Sequence, residues 1–292
     1  MTAQARARKA RQPARTGALT VRRKSPARTA DAKRRARLTA RRRWVSTFNA
    51  APKMLKIAAG LLVALALTLA VNWIYQVARK PSELLFPVSG TLFKVPADTW
   101  RSYAPLFRRH ATHSITPELL AALAQAEGAG NPVARTYWRW AWKPKPFEIY
   151  RPASSSVGMY QMTDGTFAEA RQYCVKNHGV VQEGAWNDWQ SCWLNGLYLR
   201  VLPGHAIELT AAYLDVHVAN ILARQRVTSA TLLEKQHLAA VIHLCGAGAG
   251  DLYVRHGFHF AAGQRCGEHD PRAYLARVDS YRAEFHRLAQ RE

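Results

Sequence analysis

Glu127 stands where a helix should carry an apolar residue. From Thr116 the chain reads as a helix, with Thr116 as N-cap, Pro117 at the first helical position, and Leu120 and Leu123 marking one face. Glu127 lies seven and four residues beyond those leucines. Its carboxyl therefore falls on the stripe that should meet the core, just before Gly128, which permits the helix to end. A carboxyl held partly out of water keeps its proton more readily, and a general acid needs a proton near neutral pH to give to a leaving oxygen. About thirty residues later comes Gly158-Met159-Tyr160-Gln161, followed by Thr163 and Thr166. A third feature is Gly246-Ala247-Gly248-Ala249-Gly250, after an apolar helical stretch.

Other chemistry-bearing residues are less telling. His256 and His259 are three apart without the Glu of an H-E-x-x-H arrangement, and His237 and His243 have no partner at ligand spacing, so neither a metal nor a cofactor is expected. Asp164 is read as a helix cap, and Glu118, in a first helical turn, as structural. Between 136 and 151 the chain interleaves Tyr137, Trp138, Trp140, Trp142, Phe147 and Tyr150 with Arg139, Lys143, Lys145 and Arg151. Aromatic faces stack on sugar rings and cations suit carboxylates, so this insert is expected to line a cleft; the alternatives are a core wedge or a membrane-proximal aromatic patch.

The elements that must position these groups are helical. Phe167, Ala170 and Cys174 mark one face of a helix capped by Thr163 or Asp164 and ending near Gly179. Ile207, Ala211, Leu214, Val218 and Ile221 mark a longer one, and Leu238, Val241, Ile242 and Cys245 another. A last helix from about Pro271 turns Tyr274, Val278, Tyr281 and Phe285 inward. No strand-like alternation of comparable length occurs, so the folded part is expected to be mostly α.

Charge and hydropathy divide the chain. Of the 292 residues, 1–56 hold 18 Lys and Arg against the single acid Asp31, so this stretch carries +17 of the formal +23. The expectation is a basic, disordered tail over 1–56, whose charge acts as a topology signal; without aromatic residues before Trp44, nucleic acid is not an expected partner. Residues 57–78 contain no charge and would extend about 33 Å as a helix, enough for a hydrocarbon core of about 30 Å. Basic residues crowd its N-terminal side, which predicts an uncleaved single-pass anchor in membrane lipid with the N-terminus cytoplasmic. Pro81, Pro87 and Pro96 suggest a connector over 79–104, and the folded domain should occupy 105–292. All four cysteines lie beyond the span, as suits an oxidising compartment and two disulfides. Three pairings are open; closeness in sequence favours Cys174–Cys192 and Cys245–Cys266.

Taken in order, Glu127, the Gly158-to-Gln161 stretch and the glycine-rich stretch from Gly246 resemble the SLT-type peptidoglycan lytic transglycosylases, a family of lysozyme-like helical domains. The resemblance covers roughly residues 105–290. It implies a lyase of the bacterial inner membrane, facing the periplasm, that cleaves the bond between N-acetylmuramic acid and N-acetylglucosamine and closes a 1,6-anhydro ring. Glu127 would act as acid and then as base, with no second carboxylate required, unlike the carboxylate pair of most glycosidases. Gln161, Gly158, Met159, Tyr160, Gly246, Ala247 and Gly248 would bind substrate, joined by Tyr137, Trp138 and Trp140 of the insert. Glycan strands would be the main partner, and an envelope-spanning secretion or conjugation apparatus a second. A lysozyme-type hydrolase and a weakly catalytic glycan-binding scaffold are the competing readings. The chain departs from the family where Cys245 and Gly246 stand in place of Tyr and Asn. That Tyr commonly hydrogen-bonds the catalytic Glu, and Tyr160 and Tyr213 are the expected substitutes.

Overall fold

Prolines and hydroxyl caps set where the helices begin. The computed structural model describes Arg35, Leu38, Thr39, Ser46 and residues 50–292, except 142–146, 183, 186, 189 and 190. Most of the expected basic tail, and Trp142, Lys143 and Lys145 of the insert, lie outside the described residues. The chain divides into two units, Met1–Leu67 and Thr68–Glu292. Helix α1 (Lys53–Arg79) runs through the boundary. In the first unit it exposes Leu55, Leu61, Leu62, Val63, Leu65 and Leu67, an apolar surface. Two helices among the described residues are long and apolar enough to cross a membrane; the second, α6 below, is largely buried in the fold.

The second unit is mostly helical. After a 3-10 turn (Pro81–Leu85) and the one-turn α2 (Phe86–Ser89) comes α3 (Pro96–His110), which places Trp100, Tyr103, Ala104 and Phe107 in the core. The connector expected over 79–104 is therefore shorter. Pro96 opens a helix at its first position rather than breaking one, and the aromatic residues then recur at three- and four-residue spacing.

Helix α4 (Pro117–Gly128) begins at the Thr116 cap, whose hydroxyl accepts from Leu119 N. It runs through the middle of the core, with every residue from 119 to 125 buried, so it has no exposed face until its last turn. The short hairpin β1 (Trp138–Trp140) and β2 (Tyr150–Pro152) follows, then α5 (Asp164–Ala170), capped by the Thr163 hydroxyl. The helix expected to reach Gly179 stops at Ala170. A second hairpin takes over, β3 (Tyr173–Lys176) against β4 (Gly179–Gln182). Asn177 and His178 both adopt positive φ, 50° and 61°, as the two-residue turn of a type I′ hairpin requires, and Val175, Val180 and Val181 suit its strands.

The long α6 (Pro203–Arg224) packs on β3, α3 and α7 (Leu232–Cys245), which carries a Thr231–Glu234 capping box. Next come α8 (Ala247–Arg255) and α9 (Pro271–Ala289), the latter packed lengthwise on α4. Of the glycine-rich stretch, Gly246 alone makes a turn, at φ 82°, while Ala247 and Gly248 belong to the first turn of α8. Gly250 lets α8 lie against α7, since a Cβ there would meet Ile242 Cγ1 at 2.7 Å. Cys174 pairs with Cys192 and Cys245 with Cys266, at Cα separations of 5.5 and 5.3 Å.

Candidate active site

Glu127 occupies the last turn of α4, where the helix leaves the core. Its side chain is 18 % exposed. The helix ends at Ala129, which takes the left-handed conformation at φ 47°. Gly128 thus serves a purpose other than the expected helix end. A Cβ on it would lie 2.8 Å from Met159 Cα and 2.9 Å from Met159 O, so only glycine lets the Gly158-to-Gln161 turn close against the helix beside Glu127. Gly158 is constrained twice, by φ 82° and by a Cβ position 2.6 Å from Arg200 O.

This turn is held internally. Gly158 N donates to Ala134 O, and Gln161 Nε2 donates to Gly158 O at 2.9 Å and Ala134 O at 3.2 Å. Met159 and Tyr160 are buried. Met159, expected to bind substrate, has its side chain in the core and contributes backbone instead. Tyr160, also expected to support Glu127, donates its hydroxyl to Leu120 O at 3.1 Å, which ties the turn to α4.

The hydroxyl on Glu127 comes from elsewhere. Tyr274, one turn into α9, donates to Glu127 Oε1 at 2.6 Å. Burial, the neighbouring carboxylate and this hydrogen bond hold the Tyr274 hydroxyl well above the ordinary phenol range, so it stays a donor. His243 Nε2, on α7, is 4.0 Å from the same oxygen. Desolvation lowers the His243 pKa despite the pull of Glu127 and a hydrogen bond to the Tyr160 backbone. The imidazole is therefore neutral near pH 7. Among the described residues, these two are the side chains within hydrogen-bonding or ion-pairing distance of Glu127.

A cavity of 190 Å³ adjoins His243, lined among others by Gln161, Thr163, Thr166, Tyr213 and Gly246. It is smaller than a typical ligand pocket of roughly 300–1,000 Å³ and would hold one part of a larger ligand. Gln161, Tyr160 and Gly246 thus line this cavity together with His243, whereas Glu127, Ala247 and Gly248 are not among its lining residues. Tyr213 lines the cavity but has its ring against His217, 4.3 Å between centroids, rather than its hydroxyl on Glu127.

Tyr137, Trp138 and Trp140 go to a different place. Trp138 Nε1 donates to the buried Glu83 Oε2 at 2.9 Å, and Trp140 packs on Tyr150 with ring centroids 4.8 Å apart. Tyr137 and Trp140 are exposed. None of the three lines the cavity at His243. Glu148, the other acid of this region, pairs with Arg79 and Arg151 at 3.2 and 3.3 Å and takes no part in the Glu127 cluster. Among the described residues, no group of three or more His, Cys, Asp or Glu could hold a metal ion.

What the site can do follows from its proton inventory. It presents one carboxyl group with one oxygen accepting from a tyrosine hydroxyl, a neutral imidazole nearby, and partial exposure to solvent; such groups could act as a single acid/base and include no nucleophile–base pair among the described residues. Tyr274 could be found in the sequence only as an inward-facing residue of the last helix, and nothing there links it to a glutamate 147 positions earlier. Comparison with protein-family models, with curated proteins and with solved structures returns no match to the chain.

Proposed function

We propose that the chain is a membrane-anchored peptidoglycan lytic transglycosylase of lysozyme-like fold, with Glu127 as its only acid/base. One observation carries the reading. Glu127 emerges from a buried helix against the Gly158-to-Gln161 turn, with Tyr274 on Oε1 and His243 Nε2 4.0 Å from the same oxygen. A hydrolase activating water against a glycosyl intermediate would want a carboxylate opposite; an internal hydroxyl nucleophile would not, and Glu148, the next acid after Glu127 in the sequence, is tied to Arg79 and Arg151.

The geometry suggests how one group serves twice. Tyr274 occupies Oε1, so Oε2 is the oxygen free to carry the catalytic proton. Glu127 gives that proton to the glycosidic oxygen as the bond from C1 of N-acetylmuramic acid breaks and the N-acetylglucosamine hydroxyl departs. The resulting carboxylate is stabilised by the charge-assisted Tyr274 hydrogen bond. It then takes the proton of the muramoyl C6 hydroxyl as that oxygen bonds to C1, which closes the 1,6-anhydro ring and restores the acid. His243, neutral, neither competes for the proton nor traps it in an ion pair.

The apolar α1, the basic residues before it and the two disulfides after it support a single span in the bacterial inner membrane, N-terminus cytoplasmic and Glu127 periplasmic. Digestion of purified sacculi and mass analysis of the released fragments tests the reading: anhydro-muropeptides support it, and reducing ends would assign a muramidase instead.

A further inference from the structure

We infer that the β1–β2 hairpin is a membrane-interface element, seated among the lipid headgroups where α1 leaves the bilayer, and that it does not belong to the glycan cleft. The inference rests on α1 being the membrane anchor proposed above. Its origin is a mismatch of length. The 27 residues of α1 extend about 40 Å, roughly 10 Å more than a hydrocarbon core. The surplus has a protein partner.

Asn72 and Gln76, the buried residues of α1, donate their side-chain amides to Tyr150 O and Phe147 O, each at 2.7 Å. The Tyr75 ring lies 5.8 Å from that of Phe147, and Arg79 pairs with Glu148. The amide donors are met by backbone carbonyls, while Asn72 Oδ1 has no protein partner, a polar group that lipid tails would not accept. Residues 72–79 thus stand outside the hydrocarbon, clasped by the hairpin, and lipid contact ends near Val71 rather than at Ala78.

Trp73 then falls at the boundary. It lines a groove with Trp138, Tyr150 and Arg135 whose floor is Glu83, 1 % exposed and paired with Lys80 and Arg135 at 3.2 and 3.0 Å. The buried charge cluster fixes the hairpin against the anchor's end. Around it the surface exposes Trp73 at 48 %, Tyr137 at 67 %, Trp140 at 58 % and Ile149 at 42 %. Trp138 and Trp140 share one face of β1, while Arg139 presents a cation from the other, opposite Arg151, which pairs with Glu148. Tryptophan, tyrosine and arginine at the end of an apolar helix are what the interfacial region of a bilayer accepts, and the cations suit the phosphates of anionic lipid.

The test uses the full chain in vesicles of phosphatidylethanolamine and phosphatidylglycerol, with the photo-crosslinker p-benzoylphenylalanine replacing Leu65, Trp140 or Leu197 one at a time. All three positions are exposed, so folding should tolerate each change. Lipid adducts should form at Leu65 and Trp140, the latter about tenfold above Leu197, as befits an aromatic residue in the interfacial belt. Adducts at Leu65 without adducts at Trp140 would overturn the hairpin inference and leave the anchor intact. No adducts at Leu65 would remove the anchor, and the inference with it. With glycan strands added, transfer of the Trp140 adduct to glycan would also overturn it and return the hairpin to the cleft.

Discussion

Replacing Tyr274 with Phe removes one oxygen and leaves the ring that α9 packs against α4. The hydroxyl donates to Glu127 Oε1 at 2.6 Å, and Tyr274 is 3 % exposed, so water has little access to take its place. A hydrogen bond to a charged group contributes about 1.5–3 kcal/mol. If that contribution is present while Glu127 is a carboxylate and lost in Tyr274→Phe, the rate of muropeptide release falls roughly ten- to a hundredfold, at 1.36 kcal/mol per factor of ten. Stability should fall by no more than about 1.5–3 kcal/mol, the contribution of that one bond, because the ring remains. Tyr160→Phe is the control: it cuts a bond to Leu120 O, at about 1 kcal/mol of stability, and leaves Glu127 untouched, so release should stay within about threefold of the parent. The assay is turnover of sacculi at several pH values, alongside melting curves. A Tyr274→Phe protein as active as the parent across the pH range would refute the pairing as a catalytic device. So would a Tyr160→Phe protein that loses more activity than Tyr274→Phe.

Three further outcomes follow. Gly128→Ala pushes a Cβ to 2.8 Å from Met159 Cα, where backbone rather than a flexible side chain must yield; a loss of about 1–3 kcal/mol in urea denaturation is expected, with activity lost in parallel. Replacing Cys174 and Cys192 together with Ser frees a cross-link spanning 18 positions and should lower stability by about 3 kcal/mol, read from the same denaturation curves. His243 is held below its ordinary 6.5 by burial, so the unfolded chain binds the proton first. Its contribution is complete above 6.5 and erodes as pH falls toward the folded value, and melting temperature should drop on acidification from about pH 7 to about pH 5. His243→Gln should flatten that slope in part, since His110 is lowered by burial too and acts in the same direction.

How much of this was legible depended on the range of the interaction. Caps and periods act within a few residues, so the starts of α4, α5 and α9, the apolar faces of α6 and α7 and the inward-facing Tyr274 could be read directly. Both cysteine pairs lie within about twenty positions, and closeness alone singled them out. Glu127 was visible as an acid on an apolar stripe, although α4 proves buried on every side and its end, more than its face, exposes the carboxyl. Three things were hidden for physical reasons. Proline at 96 signals both a break and a helix start, and only the packing of Trp100 and Phe107 decides between them. The β3–β4 turn relies on Asn177 and His178 at positive φ, a weaker signal than Asn-Gly. The Tyr274 hydroxyl reaches Glu127 because two helices pack side by side, and nothing local encodes that register.

The central claim is that Glu127 alone supplies the proton and takes it back. Its most direct test is digestion of purified sacculi by the parent and by Glu127→Gln, with the ends of every released fragment identified by mass. The account predicts 1,6-anhydro ends from the parent and a loss of at least about a hundredfold in Glu127→Gln, as expected when general acid/base catalysis is removed. Release by Glu127→Gln at the parental rate, or reducing ends from the parent, would contradict it.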